Sequence, residues 1–361
     1  MSVETAQLTD GRSVPRIITG AWQLSTGHQE PRARADIFQA LFKAVEAGIT
    51  AFDCGDIYTG AEELLGDFLR EYRTREGSTV AQCIRIHTKL VPDRDDLATL
   101  DKAYVGRIID RSLGRLGVEQ LDLVQFAWWS YDVARWVETA GWLDEIRTAG
   151  KIGQIGATNF DLASLSAMVD AGIPITAHQV QYSVLDHRPE RAIAEGDLTE
   201  ERMAEYCMAN GIGLFCYGTL AGGFLSDRYL NAPDPAEALG NRSLVKYRLI
   251  IDEYGGWESY QALLAEMDRI ARRHGVTIAQ VALRYVLDCP GVTSAIVGVS
   301  TAERVSDIVR VFDLTLGEEE REALHTLGTR APGPNGPVYG LERVPGGRHA
   351  AIMKYGLNRE G

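Results

Sequence analysis

Phe52-Asp53-Cys54-Gly55-Asp56-Ile57-Tyr58-Thr59-Gly60 is the stretch whose reading decides the fold. Before it, Ala47-Gly48-Ile49-Thr50-Ala51 is short and apolar, and reads as a buried strand leading to Asp53. After it, Ala61, Leu64, Leu65, Phe68, Leu69 and Tyr72 recur at helical spacing on one face. An acid therefore closes a strand and a phenol sits in the following loop. In a parallel α/β barrel, that edge of the strands carries the chemistry.

The same alternation runs outward in both directions. Upstream, Ile17-Ile18-Thr19-Gly20 predicts a first strand, Trp22 lies in its loop, and residues 32–47 predict a helix stopped by Gly48. Downstream, strands are predicted at 84–89, 121–127, 153–158, 175–180, 213–216 and 293–297. Helices are predicted between them: one striped by Tyr104, Val105, Ile108, Ile109, Leu113 and Leu116, one over 136–149, and others from about Asp161 and about Thr199. Eight strand–helix units favour a closed barrel over an open sheet, and no GxGxxG follows an early strand. The expected fold is α/β, a (β/α)8 TIM barrel forming one domain over residues 1–361. A long loop is expected after strand 7, at 220–256, where Pro233, Pro235 and Gly255-Gly256 break the rhythm. A C-terminal helix and a Gly/Pro-rich tail at 332–361 complete the outline.

Composition excludes several classes. The 37 basic and 50 acidic residues leave a net charge of −13, which disfavours nucleic acid and anionic membranes as partners. A local basic pocket for an anionic cofactor remains compatible with that charge. The five cysteines, Cys54, Cys83, Cys207, Cys216 and Cys289, form no CxxC pair. A reducing, cytoplasmic setting is expected rather than a disulfide framework or structural zinc site. No strong metal-ligand spacing stands out, no signal peptide is read at the N-terminus, and no apolar run is long enough to span a bilayer. A small-molecule substrate is the expected partner; nothing indicates the oligomeric state.

Strand periodicity supplies the first chemical argument. In Ile84-Arg85-Ile86-His87-Thr88-Lys89, His87 and Lys89 share a face. If Lys89 faces the barrel mouth, His87 lies one layer deeper, where it reads as a hydrogen-bonded core histidine. A buried lysine needs a partner, and Asp53 on the neighbouring strand is the natural one. Tyr58, one short loop later, could rest its hydroxyl on the same ammonium. A free phenol has a pKa of about 10. A nearby ammonium would lower it, making Tyr58 a proton donor usable near neutral pH.

At these residues the chain resembles the aldo-keto reductases. The resemblance rests on Asp53 to Tyr58 with Glu62-Glu63-Leu64-Leu65-Gly66, on Thr88-Lys89, on Leu121-Asp122-Leu123, and on Thr158-Asn159-Phe160. It continues through Gln179-Val180-Gln181-Tyr182-Ser183, Tyr217-Gly218-Thr219-Leu220 and Ile296-Val297-Gly298, covering about residues 15 to 327 in order. The resemblance implies a (β/α)8 barrel binding a nicotinamide cofactor across its C-terminal mouth. It places Asp53, Tyr58 and Lys89 in three positions of the family's catalytic tetrad. The fourth position, a histidine in the family, is Ala127, within Phe126-Ala127-Trp128-Trp129. The histidine orients the substrate carbonyl, which alanine cannot do. Losing one such donor typically costs about 10²–10³ in rate.

The resemblance further implies that Thr158, Asn159 and Gln179 meet the nicotinamide carboxamide and that Tyr217 stacks on the ring. Thr219, Leu220 and Gly222 would follow the pyrophosphate. After the eighth strand, Ser300-Thr301-Ala302-Glu303 reads as a capping box opening a helix, with Arg304 and Asp307 toward the adenine end. The family's lysine is Gly298 here and its asparagine is Ile308. NADP(H) is preferred as cofactor, with NAD(H) still open. Trp22, Ala127, Trp128 and Trp129 are the candidate substrate pocket.

The expected function is oxidation or reduction of a carbonyl- or alcohol-bearing small molecule, altered or weakened by Ala127. The alternatives are a cofactor-binding regulatory protein with little turnover, a redox-neutral reaction, and reduction of an activated double bond. Ala127 reads either as a natural variation or as a replacement of histidine made to trap a bound ligand.

Overall fold

The structure is a computed structural model that describes residues 3–9, 11–26, 32–191, 202–235, 239–299, 301–330 and 332–358. Eight parallel strands close into one barrel: β1 (Ile17–Gly20), β2 (Ala51–Asp53), β3 (Arg85–Leu90), β4 (Leu121–Phe126), β5 (Ile152–Thr158), β6 (Ile175–Gln181), β7 (Gly213–Tyr217) and β8 (Val292–Gly298). Each pairs with its sequence neighbour, and β8 closes onto β1 with Ile296 opposite Ile18. The deciding stretch thus folds as expected, with a shorter strand. Residues 47–50 lie outside it, because Gly48 and Ile49 close the end of the preceding helix through backbone bonds to Val45 and Ala44.

Around the barrel run α1 (Arg34–Glu46), α2 (Ala61–Glu76), α3 (Lys102–Leu116), α4 (Trp136–Thr148), α5 (Leu162–Asp170), α6 (Met203–Ala209), α7 (Arg242–Tyr254), α8 (Gly256–His274), α9 (Ile278–Asp288), α10 (Ala302–Val309), α11 (Glu318–Thr329) and the single turn α12 (Gly340–Arg343). In α2 the buried stripe includes Ala61, Leu65, Phe68, Leu69 and Tyr72, as its spacing requires. Gly66 lets α2 and α3 approach closely, since a Cβ there would meet the Arg115 carbonyl oxygen at 2.5 Å. Asp101 caps α3 through the Tyr104 amide at 2.7 Å, and Asp161 caps α5 through the Ser164 amide at 2.8 Å.

Strand periodicity builds the interior. Ile18, Ala51, Leu123, Ala177, Phe215 and Ile296 form one buried cluster, one from each of six strands. A two-stranded antiparallel hairpin, Thr5–Gln7 with Ser13–Pro15, brings Leu8 and Val14 under this cluster at the strands' N-terminal ends. The residue two positions later on each of those strands lies one layer higher, toward the C-terminal mouth. The closed end is thus apolar and the polar side chains collect at the open end.

Three expectations need correction. The stretch 220–256 is not all loop: it contains α7, capped by Asn241 through the Leu244 amide at 3.0 Å and ended at Gly255. Residues 236–238 of that stretch lie outside the described residues. The helix expected from about Thr199 begins at Met203, and Thr199 itself lies outside the described residues. The capping residue of α10 is Thr301, whose Oγ1 accepts from the Arg304 amide at 3.3 Å; Ser300 lies outside the described residues.

The C-terminal segment, described to residue 358, is a strap across the mouth. Glu342 pairs with Arg188 at 3.2 Å and Lys246 at 3.3 Å. Arg343 donates to the carbonyls of Trp128 and Asn159, both at 2.8 Å. Farther along, the Asn358 amide donates to Asp93 at 2.9 Å and its side chain donates to the Val91 carbonyl at 2.6 Å. Among the described residues, no helix is long and apolar enough to cross a membrane, and all five cysteines are free.

Candidate active site

Asp53 is the hub of the mouth. It ends β2 with only 4 % of its surface exposed. Lys89, two residues above His87 on β3, donates to both Asp53 oxygens at 2.8 Å and to the Cys54 carbonyl at 2.6 Å. Gln125 on β4 donates to Asp53 Oδ1 at 2.8 Å, and Gln179 on β6 donates to the same oxygen at 2.6 Å. Gln179 also donates to Gln125 Oε1 at 2.9 Å. A buried carboxylate is thereby neutralised by an ammonium and held by two amides, the condition under which burial is tolerated.

Tyr58 lies beside this pair, with Lys89 Nζ 4.8 Å from its ring centroid and Trp22 edge-on at 4.8 Å. The expected contact of its hydroxyl with the ammonium is not formed. Lys89 has three N–H bonds, and Asp53 and the Cys54 carbonyl take all three. Burial, reinforced by the Asp53 charge, pushes the Tyr58 phenol well above its ordinary range. The expectation of a lowered phenol is therefore corrected: in this arrangement Tyr58 is held as a neutral O–H. His87 is also unlike its expectation. Its Nδ1 has no partner, its ring stacks on Phe215 at 5.6 Å, and burial lowers its pKa to about 4.

These groups open into a cavity of about 490 Å³, the size range of small-ligand sites. Asp53, Tyr58, Lys89, Thr158, Asn159, Gln179, Tyr217, Thr219, Leu220, Gly222 and Arg304 all line it. So do Trp22, Ala127, Trp128 and Trp129. Asp307 does not: its side chain is exposed on α10, and its carbonyl accepts from Gln280 at 2.8 Å. A larger depression of about 660 Å³ between α1 and α2, around Phe38 and Arg75, contains none of these groups.

Several features suit an elongated anionic ligand. Five basic side chains, Lys89, Arg242, Lys246, Arg304 and Lys354, line the cavity against one acid, Asp53. The hydroxyls of Thr158 and Thr219 are buried without a partner. An orphaned buried hydroxyl is costly unless something else fills its hydrogen bonds. The loop after β7 passes Gly218 and Gly222 at φ of 72° and 65°. A Cβ at Gly218 would meet the Tyr247 hydroxyl at 2.6 Å and one at Gly222 the Tyr247 ring at 2.7 Å, so the loop and Tyr247 form one wall. At Gly298 a Cβ would fall 1.9 Å from Gln23 Nε2. The Gln23 amide occupies the place where a longer side chain at 298 would begin.

The other expected contacts are partly committed within the protein. Gln179 spends its amide hydrogens on Asp53 and Gln125. Asn159, at φ 60°, accepts from the Tyr217 hydroxyl at 2.9 Å. Trp22 and Trp128 give their indole N–H groups to Ser243 Oγ at 3.0 Å and the Val133 carbonyl at 2.9 Å, whereas Trp129 Nε1 has no partner. Sequence reasoning missed Gln125, although it stands at the same strand phase as Leu123. It also missed Lys246, which lies 3.4 Å from the Tyr217 hydroxyl, and the strap residues Tyr339, Ile352, Met353 and Leu357 that wall the cavity.

Comparison with known proteins agrees with this fold. The chain is 29% identical over 321 residues to flagellar radial spoke protein 5 of Chlamydomonas reinhardtii, covering 79% of this chain and 56% of that protein. The chain thus spans little more than half the length of that relative. It is 29% identical over 337 residues to Protein tas of Escherichia coli, covering 83% of this chain and 92% of the other. A crystal structure of an aldo/keto reductase from Klebsiella pneumoniae with NADP and acetate superposes with a TM-score of 0.66 at 22% identity. It covers 92% of this chain and 98% of that one. Residues 16–328 match the profile described as the Aldo/keto reductase family, and with the barrel and its mouth in place, the chain belongs to that family.

Proposed function

We propose that the chain reduces the carbonyl group of a small molecule with a nicotinamide cofactor held in the mouth of the barrel. One observation carries the reading: the Tyr58 phenol, the Asp53–Lys89 pair and two unpartnered threonine hydroxyls converge on one basic cavity. Thr158 and Thr219 would hold the cofactor's polar groups, and Arg304, Arg242 and Lys246 would attract its phosphates. The cofactor, when bound, supplies the hydride. Tyr58 supplies the proton to the carbonyl oxygen, so that an aldehyde or ketone leaves as an alcohol. Lys89 and Asp53 position the ring and the strand ends around it. A protonated phenol has a proton to give, but the burial that raises its pKa makes it a weaker acid than a free phenol, a cost that the bound cofactor and substrate must offset. NADP(H) is the preferred cofactor because the cavity is basic and a structural neighbour was solved with NADP. Arg304, which lines the cavity, would meet an extra phosphate.

Ala127 supports a second reading. It lines the cavity where the family resemblance places a histidine, and no carbonyl-orienting N–H comes from a side chain there. In that reading the chain binds its cofactor and turns over slowly, as a regulatory protein or an enzyme with altered chemistry. NADPH binding is measured first by fluorescence, then its oxidation across a panel of aldehydes, ketones and sugars. Tyr58→Phe is expected to keep binding and abolish turnover; unchanged turnover would exclude Tyr58 as the acid. Ala127→His is expected to raise weak carbonyl reduction by about 10²–10³. A fall from an already high rate would show that the alanine belongs to a different mechanism.

A further inference from the structure

The turn after β6 holds polar groups that the carbonyl chemistry does not use. It comprises the 3-10 segment Arg188–Glu190, with His187 just before it. His187 is fully buried, and its Nδ1 lies 3.0 Å from Glu190 Oε2. A second imidazole reaches the same oxygen from α11: His325 Nδ1 stands 3.8 Å away. One donor atom from each of the three residues lies within 4.8 Å of the others. From α9, the Tyr285 hydroxyl faces both rings, 3.3 Å from His325 Nδ1 and 3.5 Å from His187 Nε2.

We propose that His187, Glu190 and His325 form a binding site for a divalent transition-metal ion of the zinc type, separate from the catalytic mouth. Two imidazoles and a carboxylate are a donor set that zinc takes with three protein ligands and a water. Bonds of about 2.0–2.1 Å at tetrahedral angles put ligand atoms about 3.3–3.4 Å apart. The observed 3.0 and 3.8 Å lie on either side of that spacing. His187 and Glu190 are set by the turn and by burial. His325 has a half-exposed side chain, so it can close the remaining distance and leaves an entry path from solvent. If Nδ1 of His187 takes the metal, its Nε2–H faces the Tyr285 oxygen. Ligating histidines commonly use their second nitrogen in this way. Sequence spacing shows only the His187/Glu190 half; the third ligand lies 135 positions beyond Glu190, on another helix.

The site has a structural consequence. Arg188, inside the turn, grips Asp186 at 2.7 Å and the strap residue Glu342 at 3.2 Å. A metal ion joining the turn to α11 would stiffen the anchor of the strap.

The test uses the full chain, stripped with a chelator and then dialysed against zinc or cobalt(II) chloride with magnesium present. Elemental analysis is expected to find one zinc per chain, cobalt to give the absorption of a four-coordinate ion, and zinc to raise the melting temperature. His325→Ala removes a half-exposed ligand without opening the core, and is expected to weaken binding by about tenfold or more. Glu190→Gln should do the same, while Cys83→Ser, which removes the exposed thiol, should change nothing. No retained zinc, zinc uptake that survives both ligand variants, or zinc lost with Cys83 would each overturn the assignment.

Discussion

At the scale of single residues, the site depends on one buried charge pair. Asp53 and Lys89 have almost no contact with solvent, and each satisfies the other. Removing one partner of a buried pair typically costs about 3–5 kcal/mol, because the remaining charge is stranded. Lys89→Met is therefore expected to destabilise the fold by that amount in urea denaturation. Pairing it with Asp53→Asn should recover much of the loss in a double-mutant cycle, since no charge is then left buried. A double variant that loses the sum of the two single losses would show that the pair is not coupled. The lysine–aspartate pairing was legible from two strand ends and the cost of burying an ammonium. The state of Tyr58 was not. It depends on which acceptors use up the three ammonium protons, and the Cys54 carbonyl takes the one the phenol would have needed.

At the scale of elements, the period of two along each strand accounts for most of the site. Residues two beyond the apolar layer are Gly20, Asp53, Gln125, Gln179, Tyr217 and Gly298, and five of these six line the cavity. Gln125, the exception, reaches Asp53 directly. Helix α7 shows the reverse situation. Its stripe of Tyr247, Ile250, Ile251 and Tyr254 is helical in spacing, but flanking prolines and a Gly-Gly pair point to loop. The packing of Tyr247 over the β7 loop explains why the helix is there. The strap is fastened at one end by Glu342, whose carboxyl Arg188 and Lys246 hold down to about 2 against the opposing effect of burial. Glu342→Gln is expected to loosen it. Limited proteolysis should then cut after Arg343 and Arg348 faster, about tenfold for each ~1.4 kcal/mol lost from closure. KM should rise with the cavity wall displaced. Cleavage at the parent rate would mean that the Trp128 and Asn159 contacts suffice.

At the scale of the whole molecule, buried titratable groups set opposing pH dependences. His87 and His178 are held neutral, with pKa values lowered to about 4 and about 3 chiefly by burial. His178 Nε2 accepts from the Phe160 amide at 3.1 Å, which only the neutral ring can do. The unfolded chain binds these protons near pH 6.5, so both histidines reduce stability as pH falls below that value. Asp56 acts the other way. Burial raises its pKa to about 7, and one of its oxygens has no partner. The folded state then keeps a proton that the unfolded state releases above about pH 4. Its contribution is present at low pH and is lost as pH rises toward 7. Asp56→Asn should therefore make acid destabilisation steeper between pH 7 and 4, by up to about 1.4 kcal/mol per pH unit. Stability curves with parallel slopes would contradict this. The sequence alone determined the βα alternation, the polar ends of the strands and the family, because periodicity and local order are properties of neighbouring residues. Only the tertiary structure decided the proton held on Tyr58, the basic lining within an acidic protein, the strap and the histidine cluster. Those depend on groups far apart in the chain competing for the same few hydrogen bonds and the same buried volume.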